Sequence, residues 1–289
     1  MGIFKAAAIQ MRSGREPGRN VVDFEALVRE AAGKGATYVQ TPEMTGALIR
    51  HKADRALAFT AEEKDAVVAA ARRLSAELGI FLHVGSTAIL RPDGKIANRS
   101  FLFAPDGALV ARYDKIHMFD VDLDNGESWR ESATYEPGTE ALVADIGAAR
   151  LGFAICYDVR FPELFRAEAL AGAEVLSVPA AFTRQTGQAH WHILLRARAI
   201  ENGAFVIAAA QGGQHEDGRE TFGHSLIIDP WGRILAEADH DEPGVIVAEI
   251  DTALSIEARK KIPNLRNARE FGVADVSAAQ PAALRGAAS

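Results

Sequence analysis

Cys156 is the only cysteine among 289 residues, and it stands where the apolar run 151–155, Leu-Gly-Phe-Ala-Ile, gives way to the polar turn 157–163, Tyr-Asp-Val-Arg-Phe-Pro-Glu. An apolar strand of that length is stiff and buried, so a residue at its exposed end faces the crevice beyond the carboxyl ends of the strands. Free cysteine is also among the most buried residue types, so placement alone leaves an inert core thiol open. Two other ionisable residues occupy the same setting. Glu43 lies just past the strand-like stretch 36–40 and its stop at Pro42, and Lys115 lies where the stretch 108–113 runs out. Strand ends of an α/β fold converge on one rim. A thiol, a carboxylate and an ammonium meeting there make a site for acyl transfer, with the thiolate as nucleophile, the carboxylate as base and the ammonium stabilising an oxyanion. Taken singly, Glu43 and Lys115 also fit solvated surface residues, so neither carries the reading without the other.

The elements that must position these groups alternate between strand and helix from the start, which predicts an α/β fold. A first strand over 5–10 is followed by a helix for which Asn20 is the expected cap, with Val21, Phe24, Leu27, Val28 and Ala31 on one face. Thr60 with Glu63 reads as a capping box opening a second helix, in which Val67, Ala71, Leu74 and Leu78 keep helical spacing and Gly79 supplies the stop. Strands follow over 80–85, 174–178, 205–210 and 245–250, with helices over 162–170 and 188–202. Pro105-Asp106-Gly107 and Pro230-Trp231-Gly232 are turn signals that predict two antiparallel hairpins. Parallel strands need helical cover while hairpins add antiparallel strands, and two mixed sheets packed face to face with helices outside satisfy both demands. No break in composition divides 1–272, which predicts one domain, and the Ala-rich stretch 273–289 reads as a poorly ordered tail.

Bulk composition narrows the function. The chain is 48% apolar and 25% charged with a formal net charge of −7, ordinary for a soluble protein and without general attraction to nucleic acid or anionic lipid. A single cysteine forbids an internal disulfide, no apolar stretch is long enough to span a bilayer, and no signal segment opens the chain, so a cytoplasmic location is expected. No cysteine cluster, His-Glu-x-x-His pattern or Gly-rich phosphate motif supports a metal or nucleotide cofactor. A Cys–His hydrolase is the rival chemistry, with His117, His190, His192 and His224 available. His190 and His192, two apart at a helix start, point to different faces and make a poor pair.

The strings around the three candidates resemble the nitrilase, or carbon-nitrogen hydrolase, superfamily. Thr41-Pro42-Glu43, Tyr113-Asp114-Lys115-Ile116-His117 and the stretch from Gly152 through Cys156 to Glu163 each look like one of its catalytic segments, in family order. The similarity continues through Gly187-Gln188-Ala189-His190-Trp191, the helix 196–202 and Gly223-His224-Ser225, and covers nearly all of the chain except the tail. It implies a four-layer αββα sandwich, a cofactor-free Cys156–Glu43–Lys115 triad, and a homodimer or larger assembly. It also implies a second active-site glutamate, for which Glu131 is the match and Glu127 and Glu136 are near neighbours. The stretches 208–213 and 225–232 look most like the amidases that act on deaminated glutathione and the related omega-amidases, though Gln188 replaces a proline shared by the latter.

The expected reaction is therefore hydrolysis of a small carboxylate-bearing amide through a cysteinyl thioester, with ammonia released and water as co-substrate. An N-carbamoyl amino acid hydrolase, a nitrilase and a catalytically silent scaffold are the alternatives. Tyr157 is expected to lend its backbone N–H to the oxyanion, while Arg160 and Arg184 are candidates for a substrate carboxylate, because guanidinium suits planar two-point recognition. A nearby ammonium is expected to favour the thiolate, and burial to raise the Glu43 carboxyl.

Overall fold

The structure, a computed structural model, describes residues 2–50, 58–123, 126 and 128–275. The elements run β1 (Ile3–Gln10), α1 (Pro17–Gly33), β2 (Tyr38–Gln40), α2 (Ala66–Leu78), β3 (Phe81–Leu90), β4 (Ile96–Phe103) and β5 (Leu109–Asp114). The middle of the chain forms β6 (Asp120–Asp122), β7 (Ser128–Arg130), β8 (Val143–Asp145), β9 (Arg150–Phe153), α3 (Pro162–Leu170) and β10 (Val175–Ser177). The remainder forms α4 (Arg184–Asn202), β11 (Phe205–Ala208), β12 (Gly212–Gln214), β13 (Glu220–Phe222), β14 (Leu226–Ile228), β15 (Ile234–Glu237), β16 (Gly244–Asp251) and α5 (Ala253–Lys261).

Two large mixed sheets result, in the orders β16-β1-β2-β3-β4-β5 and β15-β14-β11-β10-β9-β8. Each has a parallel trio at its centre, β1-β2-β3 and β9-β10-β11, flanked by antiparallel strands. The side-chain period of two explains the layering. Along β1, Ala6 and Ala8 point inward and join Tyr38, Leu102 and Tyr113 in a buried cluster with Leu151, Phe153, Leu176 and Val206 of the second sheet. Ala7 and Ile9 point outward against Phe24 and Val28 of α1 and Val67 and Leu74 of α2. Trp191, Leu195 and Ala199 of α4 and Phe165 of α3 cover the second sheet in the same way. The αββα sandwich expected from sequence is the observed fold, and both turn-signalled hairpins, β4–β5 and β14–β15, are antiparallel.

Some local expectations give way to tertiary demands. Asn20 does not cap α1, which starts three residues earlier at Pro17; its buried amide instead bridges Gly14 N, Gly14 O and Gly46 O and ties the loops beneath the site. The Thr60–Glu63 box does not open α2 either. Glu62–Lys64 is a 3-10 turn, and Asp65 is the cap, accepting from Val68 N at 2.9 Å, while Thr60 bridges to Ile89. Helix α4 begins four residues before the expected Gln188, because Thr183 caps it by accepting from Thr186 N. Helix α5 and the short pairs β6–β7 and β12–β13 had no counterpart in the sequence reading. The expected tail lies outside the described residues from 276 onward.

The interface between the sheets contains a buried imidazole. His83 is fully buried, its Nδ1 2.7 Å from Tyr38 Oη and its Nε2 2.6 Å from Ser100 Oγ. Burial drives its pKa from 6.5 to about 3, so the folded ring stays neutral while the unfolded one takes a proton below pH 6.5. Stability from this group is fully present above that pH and falls as the pH drops toward 3. Urea unfolding is expected to show a loss on the order of 2 kcal/mol at pH 5 relative to pH 7.5 from this residue. His83→Gln is expected to be less stable at both pH values but to flatten the difference; an unchanged difference would assign the acid sensitivity elsewhere.

Candidate active site

Three strand ends bring the candidates together. β2 leads into Thr41-Pro42-Glu43, and this loop lies across β3 at a bulge between Val84 and Thr87. The approach is close: a Cβ on Gly85 would stand 2.0 Å from Thr41 O and 2.5 Å from Pro42 O, so only glycine fits. Met44 N donates to Ser86 Oγ, and Gln211 Nε2 donates to Glu43 O, fixing the loop from both sides. The β4–β5 register pairs Arg99 with Asp114, so Lys115 follows beside Asn98 and its N–H donates to Asn98 O at 3.0 Å. β9 delivers Cys156 at the head of a 3-10 turn, Cys156–Arg160.

Cys156 has φ 51°, in the left-handed region that non-glycine residues rarely adopt. Its N–H donates to Pro179 O at 2.9 Å, and Asp158 holds the turn behind it. This carboxylate is fully buried and accepts four hydrogen bonds, from Ile155 N and Tyr113 Oη on one oxygen and from His117 N and His117 Nδ1 on the other, all between 2.7 and 2.9 Å. Asp158 thereby fastens the cysteine turn of one sheet to the lysine segment of the other.

Lys115 Nζ donates to Glu43 Oε1 at 2.9 Å and to both Glu131 oxygens at 2.9 and 2.8 Å. Asn98 Nδ2 bridges the same two carboxylates, at 2.9 Å from Glu43 and 3.2 Å from Glu131. Ala181 N donates to Glu43 Oε2, Phe119 N donates to Glu131 Oε2, and Cys156 lines the same cavity as both glutamates. The cluster is almost sealed: Cys156, Glu43 and Lys115 are 8%, 5% and 2% exposed.

The resting charges follow from burial set against neighbours. Burial pushes the Glu43 carboxyl up, but the Lys115 charge and the hydrogen bonds from Lys115 and Asn98 outweigh it and hold it below its ordinary value. This corrects the expectation of a raised carboxyl. Burial lowers the Lys115 ammonium, yet the charges of Glu131 and Glu43 carry it well above its usual pKa. For Cys156 burial and the adjacent Glu43 charge raise the thiol well above its ordinary value, and Lys115 only partly opposes them. The resting group is thus a neutral thiol, not a thiolate, beside a carboxylate. Burial raises the Glu131 carboxyl despite Lys115, with Glu43 adding to the rise.

The cluster opens into a cavity of about 390 Å³. Glu43, Lys115, Glu131, Cys156 and Tyr157 line it, and Phe119, Trp129, Tyr135 and Phe182 give it aromatic walls. Two expected substrate contacts are elsewhere. Arg160 is not part of this wall; its guanidinium lies 5.8 and 5.4 Å from the Tyr157 and Phe182 rings and 3.4 Å from His190 Nδ1. Arg184 pairs with Glu220 at 3.2 Å and Asp241 at 2.5 Å, likewise outside the lining. Of the other glutamates near Glu131, Glu136 pairs with Lys95 at 2.5 Å, and Glu127 lies outside the described residues. None of the four histidines weighed as a base lines the cavity. Asn98, Trp129 and Arg219 were missed by the sequence reading. For Asn98 a signal existed, since Asn98, Ser100 and Leu102 share one face of β4 and a polar residue there must be satisfied.

A buried cysteine, an acid and a lysine thus meet at converging strand ends between two sheets, and no histidine lines the cavity beside them. The chain matches the carbon-nitrogen hydrolase family over residues 5–260 and belongs to that family. It is 40% identical over 271 residues to a deaminated glutathione amidase of Yersinia enterocolitica, covering 91% of this chain and 92% of that protein. The C. elegans NitFhit protein superposes with a TM-score of 0.86 at 33% identity, covering 93% of this chain and 66% of that one. An amidase variant from Nesterenkonia sp., whose active-site cysteine has undergone Michael addition to acrylamide, superposes with a TM-score of 0.73 at 28% identity, covering 91% of this chain and 99% of that one. The chain is therefore a hydrolase of carbon–nitrogen bonds other than peptide bonds. Among the described residues no helix is long and apolar enough to cross a membrane.

Proposed function

We propose that this protein is an amidase that cleaves a small carboxylate-bearing amide, of the deaminated glutathione kind, through a thioester on Cys156. The observation that carries the reading is the gathering of the Cys156 thiol, the Glu43 carboxylate and the Lys115 ammonium that donates to it along the wall of one cavity. The named relative supports the substrate class.

In the first half-reaction Glu43 takes the thiol proton as the sulfur attacks the amide carbonyl. Negative charge then gathers on the carbonyl oxygen. Lys115 Nζ and the N–H of Tyr157 stabilise it; as second residue of its 3-10 turn, Tyr157 has no intrahelical acceptor for that N–H. Glu43, now protonated, gives its proton to the departing nitrogen, which leaves as ammonia from a primary amide or as an amine from a substituted one. Water then attacks the thioester with Glu43 again as base, and the carboxylic acid and free thiol are restored. Glu131 serves as a positioning residue, because both its oxygens hold Lys115 and one also accepts from Phe119 N. We further propose that the protein acts in the cytoplasm as a homodimer or larger assembly and that 1–272 form one catalytic domain.

Intact mass spectrometry under acid quench, during turnover of deaminated glutathione, is expected to show an acyl adduct on the wild-type chain. Cys156→Ala is expected to show neither adduct nor product. Turnover of that variant at the wild-type rate would remove the proposed nucleophile.

A further inference from the structure

The cavity wall away from the thiol carries a second arrangement. Arg219 lines the cavity with its side chain 15% exposed, and its Nε donates to Asp217 Oδ2 at 2.8 Å. Its guanidinium also lies 5.0 Å from the Trp129 ring centroid, where the Arg50 guanidinium stands at the same distance. Arg219 Nη1 and Nη2 have no hydrogen-bond partner among the described residues. A guanidinium offers five donors, so one carboxylate oxygen at Nε leaves its outer edge unused.

The mounting is stiff. The loop that carries Arg219 is held by His215, which is buried and bonded through Nδ1 to Ser13 O at 2.9 Å and through Nε2 to Thr221 Oγ1 at 2.6 Å. Arg219 N donates to Asp217 Oδ1, and Thr183 pairs with Thr221 in an antiparallel bridge. A cation–π contact with an indole and a tether at Nε hold the group in place, as two-point recognition of a planar anion requires. Among the described residues, Asp217 holds Arg219, Glu220 pairs with Arg184, and Asp122 pairs with Arg130.

We infer that Arg219, braced by Asp217 and Trp129, is the anchor for a carboxylate on the substrate, holding it while the amide at the other end lies against Cys156. The inference rests on the amidase reading for what happens at the thiol, but the anion site is independent of it. Its ligands are short chains with a carboxylate at one end, such as the monoamide of a dicarboxylic acid. Arg160 and Arg184, the arginines suggested by sequence, do not line the cavity and are both engaged outside it.

Glutarate, a dicarboxylate with no bond to cleave, tests the anchor without any turnover. Calorimetric titration of the full chain is expected to show binding that weakens about 10- to 100-fold in Arg219→Gln and by less in Arg219→Lys, which keeps the charge but loses the fork. Equal affinity of wild type and Arg219→Gln, or no binding to wild type, overturns the proposal. Thermal melts and acrylamide labelling of Cys156 check that each variant is folded with its thiol in place. Steady-state assays then compare glutaramate with glutaramide, which differ in the carboxylate alone. The wild-type preference for glutaramate is expected to fall at least about tenfold in Arg219→Gln, through KM. An unchanged preference overturns the proposal. If wild type hydrolyses neither amide, the amidase reading fails while the glutarate titration still judges Arg219.

Discussion

Lys115→Met is expected to lose activity and stability together, because one ammonium neutralises two buried carboxylates. Removing an oxyanion donor typically costs about 100- to 1000-fold in rate, and among the described residues the lost group is the only cation bonded to Glu43. Without it Glu43 and Glu131 face each other, joined through Asn98, with no cation among the described residues bonded to either. Leaving a buried charge uncompensated costs about 3–5 kcal/mol, and one carboxyl escapes part of that by taking a proton at neutral pH. Urea denaturation and steady-state kinetics on the same preparation measure both effects. The double variant Lys115→Met, Glu131→Gln separates them: it is expected to regain much of the stability and none of the activity. Recovery of activity in the double variant would show that Lys115 acts only by balancing charge.

Glu43→Gln removes the base while keeping the side chain's size. A general base contributes about 100- to 10,000-fold, so kcat is expected to fall by that range with a smaller change in KM. The amide also fits poorly. Glu43 accepts from Lys115 and Asn98 at one oxygen and from Ala181 N at the other, so whichever way the glutamine turns, its NH2 faces a donor. About 1–3 kcal/mol of stability is the expected cost. The pH dependence has a defined sign. The folded Glu43 carboxyl titrates below its ordinary value of 4.5, so the stability it contributes is present above pH 4.5 and is lost as the pH falls through the folded value. The wild-type kcat/KM profile is accordingly expected to hold level down to about pH 4.5, and the Glu43→Gln variant to lose the acidic fall below it. An acidic limb retained unchanged by the variant would assign the base to another group.

The meeting of the three side chains was legible because each ends an apolar run, and a strand end has one place to go in such a sheet. Glu43, Lys115 and Cys156 could be named without knowing how the sheets pack. Their protonation could not: whether burial or a neighbouring charge wins at Glu43 depends on distances that no spacing encodes, and the reading of it as raised was wrong. Arg160 shows a second limit. It follows Cys156 by four residues, but the turn carries it to the far side of Tyr157 and Phe182. Asn20 and Thr60 show a third, since short polar side chains serve as helix caps or as ties between loops and only the surrounding fold decides which. Short pairs such as β6–β7, three residues a side, are below the length at which alternation becomes readable.

The two parts of the cavity are built on different kinds of scaffold. Cys156, Glu43 and Lys115 hang from sheets whose residues fill the core, whereas Trp129, Arg130, Glu220 and Thr221 belong to the small pairs β6–β7 and β12–β13. Substitutions in the core sheets are constrained by packing on both faces, whereas exposed positions of the small pairs, such as Arg130 and Glu220, are free of it. Descendants of this chain can therefore drift toward new substrates by changing two ribbons while inheriting the reaction intact, and laboratory selection for a new amide has its shortest route in residues 128–130 and 219–220.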